Sequence, residues 1–444
     1  MRSLLVACAL PVCLLTEACQ NKAPGQSWTA SEKRGQERAS APWWRQMNDP
    51  ILTSDVEAAL AANPDLRAVA LRVERADAVV ANARASLLPR LNLGFGYSEG
   101  RRRNIDFGPF DIAPWESSAR FSWEPDLTGK LRAARESATE SRKAAVWDYH
   151  LARLLLASRV AAVRLNLYRF NAELVDLKSS LAATEKTLGY LEEQSRAGLI
   201  PDSVVDRQKA EKERLVRQKL DLERLRDVTV IQLRTLRGGA APGATRRDEF
   251  PTPDRLSDRP LNELLSSHPK LLASEARVRS AFRLEQSARL DLLPSFRVDA
   301  LAGGGQRSLG RRFLQWTAQV GPSLNIPVYD PARLAQVKFQ KAGAGIAAAE
   351  YRGTVLGILQ DLETARVNLK SRSSQLEASV RETEALARTR ENAREQFEAG
   401  VISRIEFLET EQRWLEGKRE LASIRQAKLN ARIDLIKASG GGRL

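Results

Sequence analysis

The chain contains itself twice. Asn63-Pro64-Asp65-Leu66 is answered by His268-Pro269-Lys270-Leu271, and Arg72-Val73 by Arg277-Val278. Ala83-Arg84 is answered by Ala288-Arg289, and Leu87-Leu88-Pro89 by Leu292-Leu293-Pro294, all at one constant offset. Further on, Pro125 answers Pro327, Leu131 answers Leu334, and Ala197-Gly198-Leu199-Ile200 answers Ala399-Gly400-Val401-Ile402. Matches in a fixed order over two long halves are the mark of duplication. Any fold of this chain must therefore be assembled from two copies of one unit.

Each half reads alike. A helix comes first, at about 54–87 and about 261–292. Asn63-Pro64 and His268-Pro269 interrupt these helices, because proline has no amide proton and pushes the residue before it out of the helical region. Pro89 and Pro294 close them. Period-two alternation follows. Leu91, Leu93, Phe95 and Tyr97 alternate with Asn92, Gly94, Gly96 and Ser98, and Phe121 and Trp123 continue the pattern. In the second half Phe296, Val298, Ala300 and Ala302 alternate, then Ala318, Val320, Pro322, Leu324 and Ile326. Such spacing predicts strands with one apolar face. Polar, glycine-rich loops are expected between paired strands, over Glu99–Ser117 and Gly303–Arg312.

Each half then enters a stretch free of proline, Leu131–Arg196 and Arg333–Glu398. Read as helices, each would run roughly 100 Å. Leu167, Phe170, Leu174, Leu177, Leu181, Leu188 and Leu191 keep three-four spacing, with Thr184 in the one missing seat. That is a coiled-coil seam. Gly198 and Gly400 break the long helices, and second helices follow at about 203–237 and 403–439.

Composition narrows the function. The chain has 444 residues and a formal charge of +15. Its three cysteines, Cys8, Cys13 and Cys19, all lie in the first 19 residues. A disulfide framework, a zinc cluster and a catalytic thiol are thereby excluded from the rest of the chain. Only two histidines, His150 and His268, are present, which excludes a multi-histidine metal site. Gly303-Gly304-Gly305 opens no phosphate-binding helix and no Gly-x-Ser-x-Gly elbow occurs, so no enzyme and no cofactor is expected. The N-terminus carries Arg2 and an apolar run from Leu4 to Leu15, the length of a signal-peptide core and too short to span a bilayer. Leu15-Thr16-Glu17-Ala18-Cys19 resembles a bacterial lipoprotein cleavage site, which makes Cys19 the candidate lipidation site. Plain signal cleavage nearby is the alternative. No later segment is apolar enough for a transmembrane helix, so a membrane crossing would have to be made by strands.

Taken in order, Trp44, Asp49-Pro50-Ile51-Leu52, Ala58-Ala59-Leu60, Asn63-Pro64-Asp65-Leu66, Arg72-Val73, Ala83-Arg84-Ala85 and Leu87-Leu88-Pro89 resemble the TolC-like outer membrane efflux proteins, in the lipoprotein subgroup that serves resistance-nodulation-division pumps. Trp123-Glu124-Pro125-Asp126-Leu127-Thr128-Gly129-Lys130 resembles that family's strand-to-helix junction, with Thr128 where phenylalanine is common. The resemblance covers about residues 43–438. It implies a mainly α fold with a membrane β-barrel, in which a strand-strand-long-helical-hairpin unit is duplicated. A homotrimer would close one twelve-stranded barrel in the outer membrane, continued by a periplasmic α-helical barrel. The expected division is a signal peptide over 1–18, a lipid-anchored linker over 19–53, a first repeat over 54–250, a second over 251–439 and a tail over 440–444. Strands are expected over about 90–127 and 295–328, and hairpins over about 130–238 and 333–439.

The resemblance also implies partners and sites. The hairpin turns would be periplasmic tips that touch an adaptor (membrane fusion) protein. Here they hold Gly198, Leu199 and Ile200, and Gly400, Val401, Ile402 and Ser403. A self-packed turn needing no partner is the alternative. Counting from Gly400 sets Ile405 and Glu409 at the family's periplasmic gate, although Glu409 also fits an ordinary solvated helix face. An inner-membrane pump and outer membrane lipid complete the expected partners. The implied function is passive conduction out of the periplasm. A type I protein-secretion conduit shares the fold, and a non-channel helical scaffold is the reading that uses no pore. Nucleic-acid binding is disfavoured, because basic residues are interleaved with acids, as in Asp206-Arg207-Gln208-Lys209, and a secretion signal precedes them. The densest run, Arg101-Arg102-Arg103, is expected in a strand-to-strand loop.

Overall fold

The computed structural model describes residues 42–97, 101–104, 108–111, 115–253, 261–308 and 312–441. Cys19 and the signal segment lie outside them. Their first element is a 3-10 turn, Trp43–Met47, followed by α1 (Pro50–Ala62) and α2 (Pro64–Ala85). Asp49 caps α1 by accepting from the amides of Ile51 (2.9 Å) and Leu52 (3.2 Å). Helix therefore begins at Pro50 and not near residue 54, because an aspartate cap followed by proline is a strong start. The expected linker over 19–53 is corrected accordingly. Trp43, Met47 and Leu52 are buried in the main core with Val160, Tyr168 and Leu233, so the described end of that span belongs to the folded body.

Asn63 ends α1 and caps α2, accepting from the Leu66 amide at 3.1 Å. Strand β1 (Arg90–Tyr97) follows, then a short ribbon of β2 (Arg101–Asn104) and β3 (Gly108–Asp111), then β4 (Trp115–Trp123). The expected loop over Glu99–Ser117 is thus partly strand, and Arg101-Arg102-Arg103 lie in β2 and not in a loop. Next come the long α3 (Lys130–Arg196) and α4 (Asp202–Leu236). The second half repeats the order: α5 (Leu261–Ser267), α6 (Pro269–Leu290), β5 (Ser295–Ser308), β6 (Arg312–Asn325), α7 (Pro331–Glu398) and α8 (Arg404–Ala438). The loop expected over Gly303–Arg312 is corrected too, since Gly303, Gly304 and Gly305 pair with Thr317, Trp316 and Gln315.

The long strands form one antiparallel sheet in the order β1-β4-β5-β6, and the β2–β3 ribbon touches it where Asp111 faces Ser308. Register carries the alternation across the sheet. Leu91, Phe121, Ala300 and Val320 form one row, and Asn92, Arg120, Leu301 and Gln319 form the next on the opposite face. The apolar face is bare: Phe95 is 83% exposed and Val320 77%. Surface of that extent is stable against lipid and not against water. Among the described residues, no helix is long and apolar enough to cross a membrane.

The helices form rods laid side by side. Helix α3 lies between α2/α4 on one flank and α6/α8 on the other, and α7 packs against α6/α8. Helix α4 abuts α2 end to end, where Asn63 Nδ2 donates to the Leu236 carbonyl at 3.0 Å. Helix α8 meets α6 in the same way. Gly440, at φ +82, packs against the backbone of His268, as Gly238, at φ +68, packs against that of Ala62. Gly440 and Gly441 are thereby part of the fold, which corrects the expected tail. Each glycine is required, because a side chain there would suffer both the positive φ and the neighbouring backbone.

The two helix breaks differ in chemistry. His268 caps α6 through Nδ1, which accepts from the Lys270 amide at 3.2 Å. Burial, helped by the nearby Lys270 charge, lowers its pKa from 6.5 to about 4. Between pH 6.5 and about 4 the unfolded chain takes up a proton that the folded chain refuses. Stability should therefore fall on acidification through that window, by up to about 1.4 kcal/mol per pH unit. His268→Asn restores the residue of the first half and removes the titration. Denaturant melts at pH 7 and pH 5 should show a smaller acid loss in His268→Asn than in the wild type.

Candidate functional site

Each tip is built by the same backbone device. Helix α3 ends at Arg196, Gly198 takes φ +72, and the Leu199 amide donates to the Gln194 carbonyl at 3.0 Å. Helix α7 ends at Glu398, Gly400 takes φ +75, and the Val401 amide donates to the Gln396 carbonyl at 2.8 Å. These are left-handed C-caps, for which glycine is the natural residue. Leu199 and Val401 are each 71% exposed, whereas Ile200 and Ile402 are half-buried. Ser403 caps α8, accepting from the Glu406 amide at 3.2 Å. Pro201 begins α4 without a side-chain cap. The helices of each tip are bridged: Ser195 Oγ donates to Asp202 at the first, and Phe397 and Phe407 stack at 5.6 Å at the second.

Ile405 and Glu409 lie one turn apart on one face of α8. Ile405 is half-buried and Glu409 exposed. Their neighbours are engaged: Arg404 sits over the Tyr190 ring at 5.5 Å, and Glu411 accepts from Arg390 at 3.3 Å. Glu409 has no ion pair among the described residues, which leaves its carboxylate available to the space beside α8.

Helix α8 is tied to α3 by a polar ladder that periodicity did not reveal. Gln412 donates to Thr184 Oγ1 at 2.8 Å, Lys418 pairs with Asp176, and Gln426 donates to Asn166 Oδ1 at 2.7 Å. Thr184, the odd seat in the leucine seam, is thus a buried hydrogen-bonding position. Near the sheet, Asp126 accepts from the Leu131 amide at 3.0 Å and the Arg132 amide at 2.9 Å to start α3. Gly129, at φ +83, turns the chain into that helix. Lys130 hydrogen-bonds Glu124 at 2.8 Å and holds its carboxyl below the ordinary range.

Strand order and rod order coincide. Strand β1 follows α2, β4 precedes α3, β5 follows α6 and β6 precedes α7, so β1-β4-β5-β6 runs parallel to α2/α4–α3–α6/α8–α7. Both layers are left open on the same two flanks. One flank carries β1 and α2/α4, with Leu71, Leu220 and Ile231 exposed; the other carries β6 and α7, with Phe339, Ile346 and Leu356 exposed. Every pairing between long strands is antiparallel, so β6 of one copy is correctly directed to pair with β1 of a second.

A duplicated sheet-and-rod unit with a bare apolar sheet face defines an outer membrane channel subunit. The family model for outer membrane efflux proteins matches residues 56–239 and 261–441, and the chain belongs to that family. It is 27% identical to the pyoverdine export outer membrane protein OpmQ of Pseudomonas putida, over 98% of this chain and 97% of that one. It is 22% identical to the probable outer membrane lipoprotein SilC of Salmonella typhimurium, over 90% of this chain and 88% of that one. Among solved structures, the outer-membrane channel OprN aligns at TM-score 0.79 and 22% identity over 92% of this chain and 94% of its own. VceC of Vibrio cholerae aligns at TM-score 0.78 and 22% identity over 91% of this chain and 100% of its own. The protein is an outer membrane efflux component with the TolC-type fold.

Proposed function

We propose that three copies close head to tail into one continuous duct, the outer membrane exit of a tripartite efflux system. The observation that carries this reading is the shared order of strands and rods, with both layers open on the same flanks. A sheet of four long strands with two free edges cannot stand in lipid, where every backbone group needs a partner. Pairing β6 with β1 of the next copy satisfies both edges in a cyclic, heterologous assembly. The exposed apolar residues of α7 and α4 meet in the same step.

The duct conducts passively and takes its energy from an inner-membrane pump. Its tips, with Leu199 and Val401 exposed, receive a periplasmic adaptor protein. Ile405 and Glu409 form the gate on α8, where a ring of carboxylates collects cations. Relatives named for pyoverdine export and toluene efflux carry unlike cargoes, which supports a duct that does not itself select. Cys19 carries the lipid anchor. From Cys19 to Trp43 an extended chain reaches roughly 80 Å. The core around Leu154–Tyr168, where Trp43 is buried, lies roughly 40–60 Å along α3 from the sheet. An anchor at Cys19 is therefore compatible with this fold.

Planar-bilayer recordings on the detergent-purified protein test the reading. Wild type should give small, rarely open channels, with larger or more frequent openings in Ile405→Ala and Glu409→Ala. Channels unchanged by either variant would move the gate elsewhere. A folded protein that never conducts would sink the conduit.

A further inference from the structure

A groove of about 1300 Å³ lies beside the segment 247–253, between α3, α7 and α8. The tips, the gate and the open flanks make no use of it. Its apolar lining includes Leu369 and Leu376 of α7 and Leu421 and Leu429 of α8. Along the same wall α8 contributes Lys418, Arg425, Lys428 and the buried Arg432. Spacings of seven, three and four residues keep these cations on one helix face, spread over roughly 20 Å. The acids of the lining are Asp176, Asp248 and Glu249. Asp176 is committed to Lys418, and Glu249 faces Arg247 at 3.7 Å. Arg425 and Lys428 have no carboxylate partner among the described residues. The groove is therefore apolar in its floor and positive along one wall.

Three occupants differ in their fit. Residues 20–41 of this chain are one candidate, since they shortly precede Asn48, which lines the groove, in the sequence. They carry Lys22, Lys33, Arg34 and Arg38 against Glu32 and Glu37, so their net charge has the wrong sign. A bilayer is too distant: Ala172 and Asp176 lie roughly 60 Å along α3 from the sheet, several times the Debye length of about 8 Å. An anionic polysaccharide would satisfy the cations and leave the half-buried Leu369 and Leu376 uncovered. We infer that the groove docks an acidic amphipathic polypeptide segment of a periplasmic partner. Its carboxylates meet Arg425 and Lys428, and its apolar side chains meet the half-buried Leu369 and Leu376, in the manner of a helix laid in a groove. The inference rests on the groove and does not require the protein to conduct.

Fluorescence anisotropy on the full-length protein in amphipol tests it. The probe is a fluorescein-labelled two-heptad peptide with glutamate and leucine on one face. Arg425→Glu with Lys428→Glu should weaken its binding about tenfold or more, and the paired glutamine variant should fall between that and wild type. Arg425 is exposed and Lys428 half-buried, so both variants should keep the wild-type circular dichroism and melting curve. Arg207→Glu with Arg217→Glu, on exposed positions of α4, should leave binding unchanged. Equal losses in both charge-reversed pairs would reduce the effect to general attraction and overturn the site. Equal binding of polyglutamate or polygalacturonate would overturn the amphipathic peptide as its ligand. No binding of the heptad probe at low salt would overturn the inference outright.

Discussion

Asp55→Ala should destabilise the protein by about 3–5 kcal/mol, because it strands a buried guanidinium. Asp55 and Arg164 are both fully buried. Arg164 Nε donates to Asp55 Oδ2 at 2.6 Å and Nη2 pairs with the same carboxylate. The other oxygen pairs with Arg237 and accepts from the Gly243 amide at 3.3 Å. Arg164 Nη1 also donates to the Ala244 carbonyl at 2.9 Å. One carboxylate thus binds α1, the middle of α3, the end of α4 and the segment leaving it. Removing it leaves the Arg164 and Arg237 guanidiniums without their shared carboxylate, the first of them fully buried. Thermal unfolding followed by circular dichroism should register the loss, with Glu57→Ala as comparison. Glu57 also sits on α1 and bonds Arg45 at 2.7 Å, but both side chains are largely exposed, so its removal should cost under about 1 kcal/mol. Similar melting shifts for the two variants would contradict this account.

That ionic centre was hidden in the sequence, and the reason is physical. The helix breaks at Asn63-Pro64 and His268-Pro269 follow from local backbone rules, so one dipeptide suffices to find them. The leucine seam of α3 repeats within a turn or two, and its buried Leu167, Leu174 and Leu177 follow from spacing. Asp55 and Arg164 are separated by 109 residues, and charge on an amphipathic helix ordinarily reads as solvated. Thr184 looked like a gap in the seam because its partner, Gln412, lies in the other half. The glycines misled in the opposite direction. Gly303-Gly304-Gly305 reads as a loop, yet a Cβ on Gly303 would stand 2.9 Å from the Ser117 carbonyl oxygen. Glycine in a strand marks close approach of a neighbouring backbone as well as a turn. For the site, the order of elements and the two tip turns were legible. The coincidence of open flanks in both layers was not, because it depends on which rods touch.

Val320→Arg should prevent stable insertion of the sheet into the outer membrane, whereas Gln319→Arg should be tolerated. The two residues are adjacent in β6, and alternation sends them to opposite faces. Val320 closes the row of Leu91, Phe121 and Ala300, all apolar. Gln319 closes the row of Asn92, Arg120 and Leu301, which already contains a cation. In a closed barrel the first face meets hydrocarbon and the second meets water. An arginine near the midplane of the lipid face costs about 2–4 kcal/mol, and three symmetric copies multiply the penalty for the assembly. On the aqueous face the same side chain keeps its hydration. Membrane fractionation with heat-modifiability on gels reads both variants. Loss of the membrane-inserted form in Val320→Arg alone fixes which face meets lipid. Loss in Gln319→Arg alone would turn the sheet inside out. Loss in neither would mean that the sheet does not lie in a membrane, and the free edges of β1 and β6 would then need a different partner.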